Sequence, residues 1–535
     1  MRLPPHWQHG ARPHPARSRP GAGPARGARV GGRGEAVLAI DAGTTGVTAL
    51  LVDRQGDIVA GGYREVPQRY PRPGWVEHDP EEIWRAVLAA TAEALAAAPD
   101  RAPVAVGVAD QRETCLFWDR RDGRPLHNAI VWQCRRSAPI CDELRARGLE
   151  ADIRERTGLR LDPYFSGTKA LWLVRRDASL AGRIASGDVC FGTVDSWLAY
   201  RLSGNRLHVT DTTNASRTLA FDIERLDWDD GLLELFGLRR AVMAEVRPSA
   251  SDFGLTSGSA PIPDGVPIAA LVGDQQAALF GQACMRPGLV KATYGTGCFI
   301  LAHMGPRPVR SRSGLLTTVA ATGDGSPAYA LEGSVFIAGA ALQWCRDNLG
   351  ILSGWQEAER MAASVPDSGG VVFVPAFAGL GSPHWAPAVR GALFGLTGAT
   401  RREHIVRAAL ESMVFQAQDV LAAMTSEAGA ALSELRVDGG AAANDVLMQL
   451  QVDLSGPPVS RPRSVESTAL GAAYLAGLTA GFWRDEAEVE SLRREARRFL
   501  PSGNPAASEA YERWRRAVSG LLAARLPAAG GDATV

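Results

Sequence analysis

Residues 36–62, AVLAIDAGTTGVTALLVDRQGDIVAGG, set two β-rich apolar runs around a Gly/Thr turn, and a third run follows DRQGD. This pattern predicts a three-strand meander with a polar tip. In HDPEEIWRAVLAATAEALAAA, Asp79 stands as N-cap, Pro80 at the first helical position and Glu82 three residues past the cap, so a helix is predicted from 80 onward. APVAVGVADQRET then reads as a buried strand ending in a polar burst at 110–114. The order is strand, strand, strand, helix, strand. From 288 a similar pattern restarts: GLVKATYGTGCFILAHMG is strand, Gly/Thr turn, strand. REHIVRAALESMVFQAQDVLAAM carries Ile405, Ala408, Ala409, Ser412, Met413 and Gln416 at helical spacing, the mark of a buried helix of small residues. ELRVDGGAAANDVLMQLQVDL reads as strand, Gly-Gly turn, helix. The second half repeats the first in outline, with no residue-level repeat of the length that marks a solenoid.

Between the halves, VGDQQAALFGQ (272–282) places Asp274, Gln275 and Gln276 on the hinge between an apolar run, Val266 to Val272, and an apolar, helical stretch. Asp is a good helix N-cap, and that is the plain reading of Asp274. Composition sets the wider frame. A chain of 535 residues is too long for one core, and two large domains are expected. With 46% apolar and 22% charged residues it reads as globular, and no uninterrupted apolar run reaches the ~18 residues of a membrane span, so none is expected. Seven cysteines without a C-x-x-C pair argue for reduced thiols in a cytoplasmic protein.

Formal charge is zero, yet residues 1–34 hold seven Arg, three His and no acid. This segment is predicted to be a disordered basic tail, because it has too few apolar residues to offset the entropy of ordering. A transit peptide, a nucleic-acid arm and translated upstream sequence compete as its origin. The last is favoured: the whole chain has only two lysines, Lys169 and Lys291, so arginine excess is general, and little Ser with abundant Pro weakens the transit reading. No nucleic-acid partner is expected.

Four polar turns end apolar strands: DAGTT (41–45), GDQQ (273–276), YGTG (294–297) and DGGAAAN (438–444). Each alone is weak, but together they resemble a phosphate-handling set, since Gly lets backbone N–H groups approach an anion and Thr hydroxyls add donors. Neither lysine sits in the Gly-Lys-Ser/Thr of a P-loop, protein-kinase signatures are missing, and no G-x-G-x-x-G opens a helix after a strand.

With these segments in order, and with QRET, VWQCRR, DPYFSGTK, VTDTTNASRT, TALGAAYLAGL and GALFGLTGATRREHIVRAALE between and after them, the chain resembles the FGGY carbohydrate kinases, and within them the glycerol kinases, from about 36 to 500. The resemblance implies an α/β fold of two actin/hexokinase-type (RNase H-like) domains, 35–282 and 283–510, followed by a C-terminal helix and tail over 511–535. It implies glycerol and Mg²⁺-ATP in the inter-domain cleft, and relatives are often dimers or tetramers. The implied glycerol site is Arg112, Glu113, Trp132, Tyr164, Asp274, Gln275 and Phe299, with Asp274 as general base. Arg112 as donor and Glu113 as acceptor suit adjacent hydroxyls, while Trp132 and Phe299 cover the carbon edge. Implied for the nucleotide are Thr44, Thr45, Gly295, Thr296, Gly339, Gln343, Gly440 and Asn444, with Asp41 orienting Mg²⁺ through water.

Two departures stand out. Thr48 occupies a position where such kinases commonly carry an arginine toward phosphate, and Gly265 one where an arginine serves a phosphorylated-sugar inhibitor in some bacterial relatives; inhibition by fructose 1,6-bisphosphate is therefore expected to be absent. The alternatives on the same fold are another small polyol or a ketose as acceptor, or a nucleotide-binding sensor without turnover. Trp132 and Phe299 disfavour the first by leaving little room beyond three carbons, and Asp274 disfavours the second.

Overall fold

The computed structural model describes residues 34–429 and 431–524, so the basic tail expected over 1–34 lies outside it save for Gly34, as does the chain after Ala524. The predicted meander is β1 (Gly34–Ala42), β2 (Gly46–Val52) and β3 (Ile58–Glu65), all antiparallel. Residues Ala36 to Ile40 of β1 are wholly buried, as a continuous apolar run requires in a strand covered on both faces. Helix α1 (Pro80–Ala97) begins where predicted: Asp79 accepts from the Glu81 N–H at 2.9 Å. Glu82 turns away to Arg69, 3.0 Å off, so Asp79 makes this cap without a reciprocal partner. Strand β4 (Arg101–Asp110) lies parallel to β1, and β5 (Ile268–Gly273) lies parallel to β4, giving the order β5-β4-β1-β2-β3. Helix α2 (Asp274–Gly281) follows β5 directly.

The second sheet rebuilds this plan. β6 (Leu289–Tyr294) and β7 (Cys298–Gly305) form a hairpin; β8 (Leu316–Ala320) and β9 (Ala328–Val335) extend it antiparallel. Helix α3 (Gly339–Asp347) follows, then α4 (Arg402–Ala428), the predicted helix of small residues, with Ala408, Ala409, Ser412, Met413 and Gln416 buried. Strand β10 (Glu434–Asp438) runs parallel to β6. After α5 (Asp445–Ser455), β11 (Val459–Pro462) runs parallel to β10, and β12 (Glu495–Phe499) closes the edge. The order is β8-β9-β7-β6-β10-β11-β12, so β9-β7-β6-β10-β11 repeats β3-β2-β1-β4-β5 strand for strand. The final helix spans Ala506–Ala524.

The halves interlock through the helix that follows the fifth strand of each. Helix α6 (Ser467–Thr479) packs Ala469, Ala472, Ala473 and Ala476 onto Val37, Ala39, Ala105 and Ala109 of the first sheet. Leu279 of α2 packs instead with Leu289, Leu301 and Ala330 of the second. The two helices cross at glycines: a methyl on Gly471 would overlap the Ala277 carbonyl, and one on Gly281 the Ser467 carbonyl. Parallel strands β1, β4, β5, β6 and β10 thus end at one seam, the position where open α/β sheets hold ligands.

Candidate active site

Strand β5 ends in Gly273, whose N–H donates to Thr213 Oγ1 at 2.8 Å. Gly273 is itself the N-cap of α2, so Asp274 is the first helical residue rather than the cap its sequence context predicts. Asp274 Oδ1 accepts from the Gln275 N–H at 2.7 Å and also meets Arg112 Nε at 3.1 Å. An acid in the first turn still faces the positive end of the helix dipole. The Asp274 side chain is 26% exposed, whereas those of Arg112 and Glu113 are 2% and those of Arg217 and Glu332 are 0%, so within this ionic cluster Asp274 is the group that a ligand reaches.

Beneath it the charges are tightly paired. Arg112 Nη1 and Nη2 donate to Glu332 Oε2 and Oε1 at 2.6 and 3.1 Å, and Nη1 also to Gln276 Oε1 at 3.2 Å. Arg217 Nε donates to Glu113 Oε1 at 2.6 Å and Nη2 to Glu332 Oε1 at 3.0 Å. Glu113 takes a φ of 62°, left-handed backbone that a non-glycine residue holds only when its surroundings over-determine it.

An aromatic wall stands beside the acids. Trp132 meets Tyr164 edge-on at 5.6 Å between ring centroids and Phe299 at 6.3 Å, so the wall joins residues from both halves. Trp132 Nε1 donates to Thr44 Oγ1 at 2.9 Å, which couples the wall to the first phosphate-type turn. The chain's two lysines are both fully buried here. Lys291 donates to Gln275 Oε1 at 2.6 Å, and Lys169 to the carbonyls of Tyr164 and Phe165.

The turn 294–297 is bonded to the start of α3: the N–H of Ala338 donates to Thr296 O at 2.9 Å and that of Gly339 to Gly295 O at 3.0 Å. Gly439, at φ 84°, lies where a methyl would sit 2.5 Å from Tyr294 O. Gly440 has nothing within 4 Å of that position, so next to a tight crossing there is an open cradle. Asn444 caps α5 by accepting from the Leu447 N–H at 2.9 Å, and its buried Nδ2 has no partner among the described residues. Gln343 lies one turn beyond Gly339 on α3, half-buried, and Thr45 is exposed at the tip of the first turn.

Burial, and then the carboxylates of Asp274 and Glu466, hold Asp41 well above the usual carboxylate range. Such crowding of acids fits a divalent cation nearby. Among the described residues no three acidic or imidazole groups converge as a ready cage.

The model for the N-terminal domain of the FGGY family of carbohydrate kinases matches residues 36–281, and that for its C-terminal domain residues 290–480. The chain belongs to the FGGY family of carbohydrate kinases. It is 51% identical to glycerol kinase 2 of Thermotoga maritima over 91% of this chain and 98% of that one, and 53% identical to the glycerol kinase of Dechloromonas aromatica over 91% and 97%. The solved structure of Plasmodium falciparum glycerol kinase with ADP superposes with a TM-score of 0.87 at 35% identity, covering 91% of this chain and 98% of that one.

Within this FGGY chain, two groups form among the sequence-predicted residues. Arg112, Glu113, Trp132, Tyr164, Asp274, Gln275 and Phe299 gather around one acid and one aromatic wall, while Gly295, Thr296 and Gly339 form one bonded turn system, with Gly440 beside it. Sequence reasoning missed Arg217 and Glu332. A signal for Glu332 existed: it is the one acid within AYALEGSV, a run of small and apolar residues that the structure buries throughout. An acid there is expensive without a cationic partner.

Proposed function

We propose that this FGGY kinase transfers the γ-phosphoryl group of ATP to a terminal hydroxyl of glycerol, yielding sn-glycerol 3-phosphate and ADP. The observation that carries the reading is the partly open Asp274 carboxylate beside Arg112 and next to a wall of Trp132, Tyr164 and Phe299 drawn from both halves. Arg112 donates to one hydroxyl, Glu113 and Gln275 bind neighbouring ones, and the rings cover the carbon edge. Leaving such buried polar groups unpaired is what rejects ligands that lack the hydroxyls. Asp274 takes the proton of the attacking hydroxyl as the new O–P bond forms and the bond to the ADP oxygen breaks. Because that transition state is loose, the proton is needed late and positioning supplies most of the rate. Thr44, Thr45, Thr296 and the backbone of Gly295 meet phosphate oxygens; Gly339 and Gln343 serve the ribose side, and Gly440 and Asn444 the α-phosphate and adenosine. Mg²⁺ arriving with ATP would offset negative charge on the phosphates, and Asp41 is the residue that would hold it. The seven cysteines, all buried as free thiols, suit work in a reducing compartment such as the cytoplasm.

The test is ADP release with and without glycerol, compared with dihydroxyacetone, erythritol, xylitol and D-xylulose. Release that depends on glycerol, with the largest kcat/KM for glycerol, is expected. A larger kcat/KM for a pentulose, or release indifferent to glycerol, overturns the reading.

A further inference from the structure

Glu332 stands mid-strand in β9 with 0% of its side chain exposed. Its two oxygens are held by guanidinium groups that come from the other half: Arg112, just past the end of β4, forms a fork on both, and Arg217, in the turn after the short helix Thr212–Ala215, adds a third bond. Two cations face two deeply buried acids, Glu113 and Glu332, and Asp274 is left with the Nε edge of Arg112.

The donor count gives this arrangement a consequence. An Arg has five N–H groups. On Arg112, Nη1 serves Glu332 and Gln276, Nη2 serves Glu332, and Nε faces Asp274, so the second N–H of Nη2 remains for a substrate hydroxyl. Without Glu332, the strongest remaining geometry for Arg112 is a fork on Asp274, which would occupy both oxygens of the acid that must accept a proton.

We infer that Glu332 is a positioning residue: it clasps Arg112 and Arg217 across the seam, so that the polyol contacts assemble only when the two halves are joined, and it keeps Arg112 from closing on Asp274. This rests on the reading of Asp274 and Arg112 as polyol ligands. Burial pushes the Glu332 carboxyl up, but Arg112 and Arg217 overcome it and draw it down to about 2, so the clasp stays charged through the neutral range.

Glu332→Gln keeps the shape and removes the charge. Steady-state kinetics of the full chain should show the glycerol KM raised about tenfold or more, as expected for losing charge-assisted hydrogen bonds, with the ATP KM within about twofold. A bulk structural role would move both KM values together and track the melting temperature. Glu332→Asp, which retains the charge but reaches one arginine only, should fall between parent and Gln. Unchanged glycerol KM in Glu332→Gln, a proportional rise of both KM values, or failure of both variants to fold overturns the inference. A parent chain without glycerol-dependent ADP release defeats the underlying reading instead, whatever the variants do.

Discussion

Equivalent strands of the two sheets end in the same residue type, Asp110 in β4 and Asp438 in β10, yet the two acids live differently. Asp110 is closed inward: Oδ1 accepts from Asn214 Nδ2 at 2.8 Å and Oδ2 from the Asp195 N–H at 3.2 Å. Burial, then the neighbouring Asp195 carboxylate, pushes it well above the usual range. Asp438 accepts from Gln282 Nε2 at 3.1 Å through Oδ2, while its buried Oδ1 has no partner among the described residues. A duplicated frame therefore offers equivalent strand ends, and local donors decide whether both oxygens of the acid are bonded or one is left without a partner among the described residues. Across the seam the labour divides: the first half carries Asp41, Arg112, Glu113 and Asp274, and the second supplies glycine turns, Phe299, Lys291 and Glu332.

The largest expected effect breaks that division at its centre. Asp274→Asn should lower turnover by about 10³-fold or more, the upper range for a lost general base, while ADP affinity by calorimetry changes little. Near-parent turnover would move the base to another residue. Next comes Lys291, which reaches across the seam to hold Gln275. Lys291→Met should raise the glycerol KM about tenfold or more, since a charge-assisted bond to a substrate ligand is lost. Lys291→Arg should also be impaired, because a planar fork does not replace a compact ammonium in a closed space. Normal glycerol kinetics in both variants would show that Gln275 needs no such support.

A smaller effect is expected in the second half's backbone. Gly439→Ala puts a methyl 2.5 Å from Tyr294 O at a φ of 84°. A loss of about 1–3 kcal/mol in chemical denaturation is expected, with weaker ADP binding. Unaltered stability would mean that the turn can open without cost, and the tight crossing beside the Gly440 cradle would lose its significance.

Much of this was legible in the residues. The first meander, the hairpin after 288, the Asp79 cap and the buried helix from 402 follow from period and turn chemistry, because local propensity and burial agree there. The polyol residues were reached through resemblance, and periodicity alone would have left Arg112 and Glu113 as a surface pair and Trp132 as core. Capping and base are both open for Asp274 in sequence, since an N-cap and a first-turn acid look alike there; its contact with Arg112, 162 positions upstream in the chain, is made only by the fold. Glu332 and Arg217 went unseen because their partners lie 220 and 104 positions away, and no local pattern encodes a pairing made when two halves meet.

The smallest effect sharpens the contrast between the two strand-end acids. Asp195, beside Asp110, is raised to about 7 by burial and then by Asp211, against the pull of the Thr193 and Thr210 hydroxyls that donate to it at 2.5 and 2.6 Å. In an unfolded chain such a carboxyl releases its proton near pH 4. Between about pH 4 and 7 the native state therefore holds a proton that the unfolded state has lost, so the native state binds more protons and its stability declines as pH rises; below that window the contribution is at its full value. Asp195→Asn keeps an acceptor for one hydroxyl and an amide for the other while removing the titration, and should flatten that decline by about 1–2 kcal/mol in melts taken across the window. Asp110 and Asp211 would leave a residual slope. Asp438→Asn alters the acid whose buried Oδ1 has no partner among the described residues, so its effect should fall on ADP affinity. An unchanged slope in Asp195→Asn would remove Asp195 as the titrating group, and unchanged ADP affinity in Asp438→Asn would make that strand end scaffold like the first.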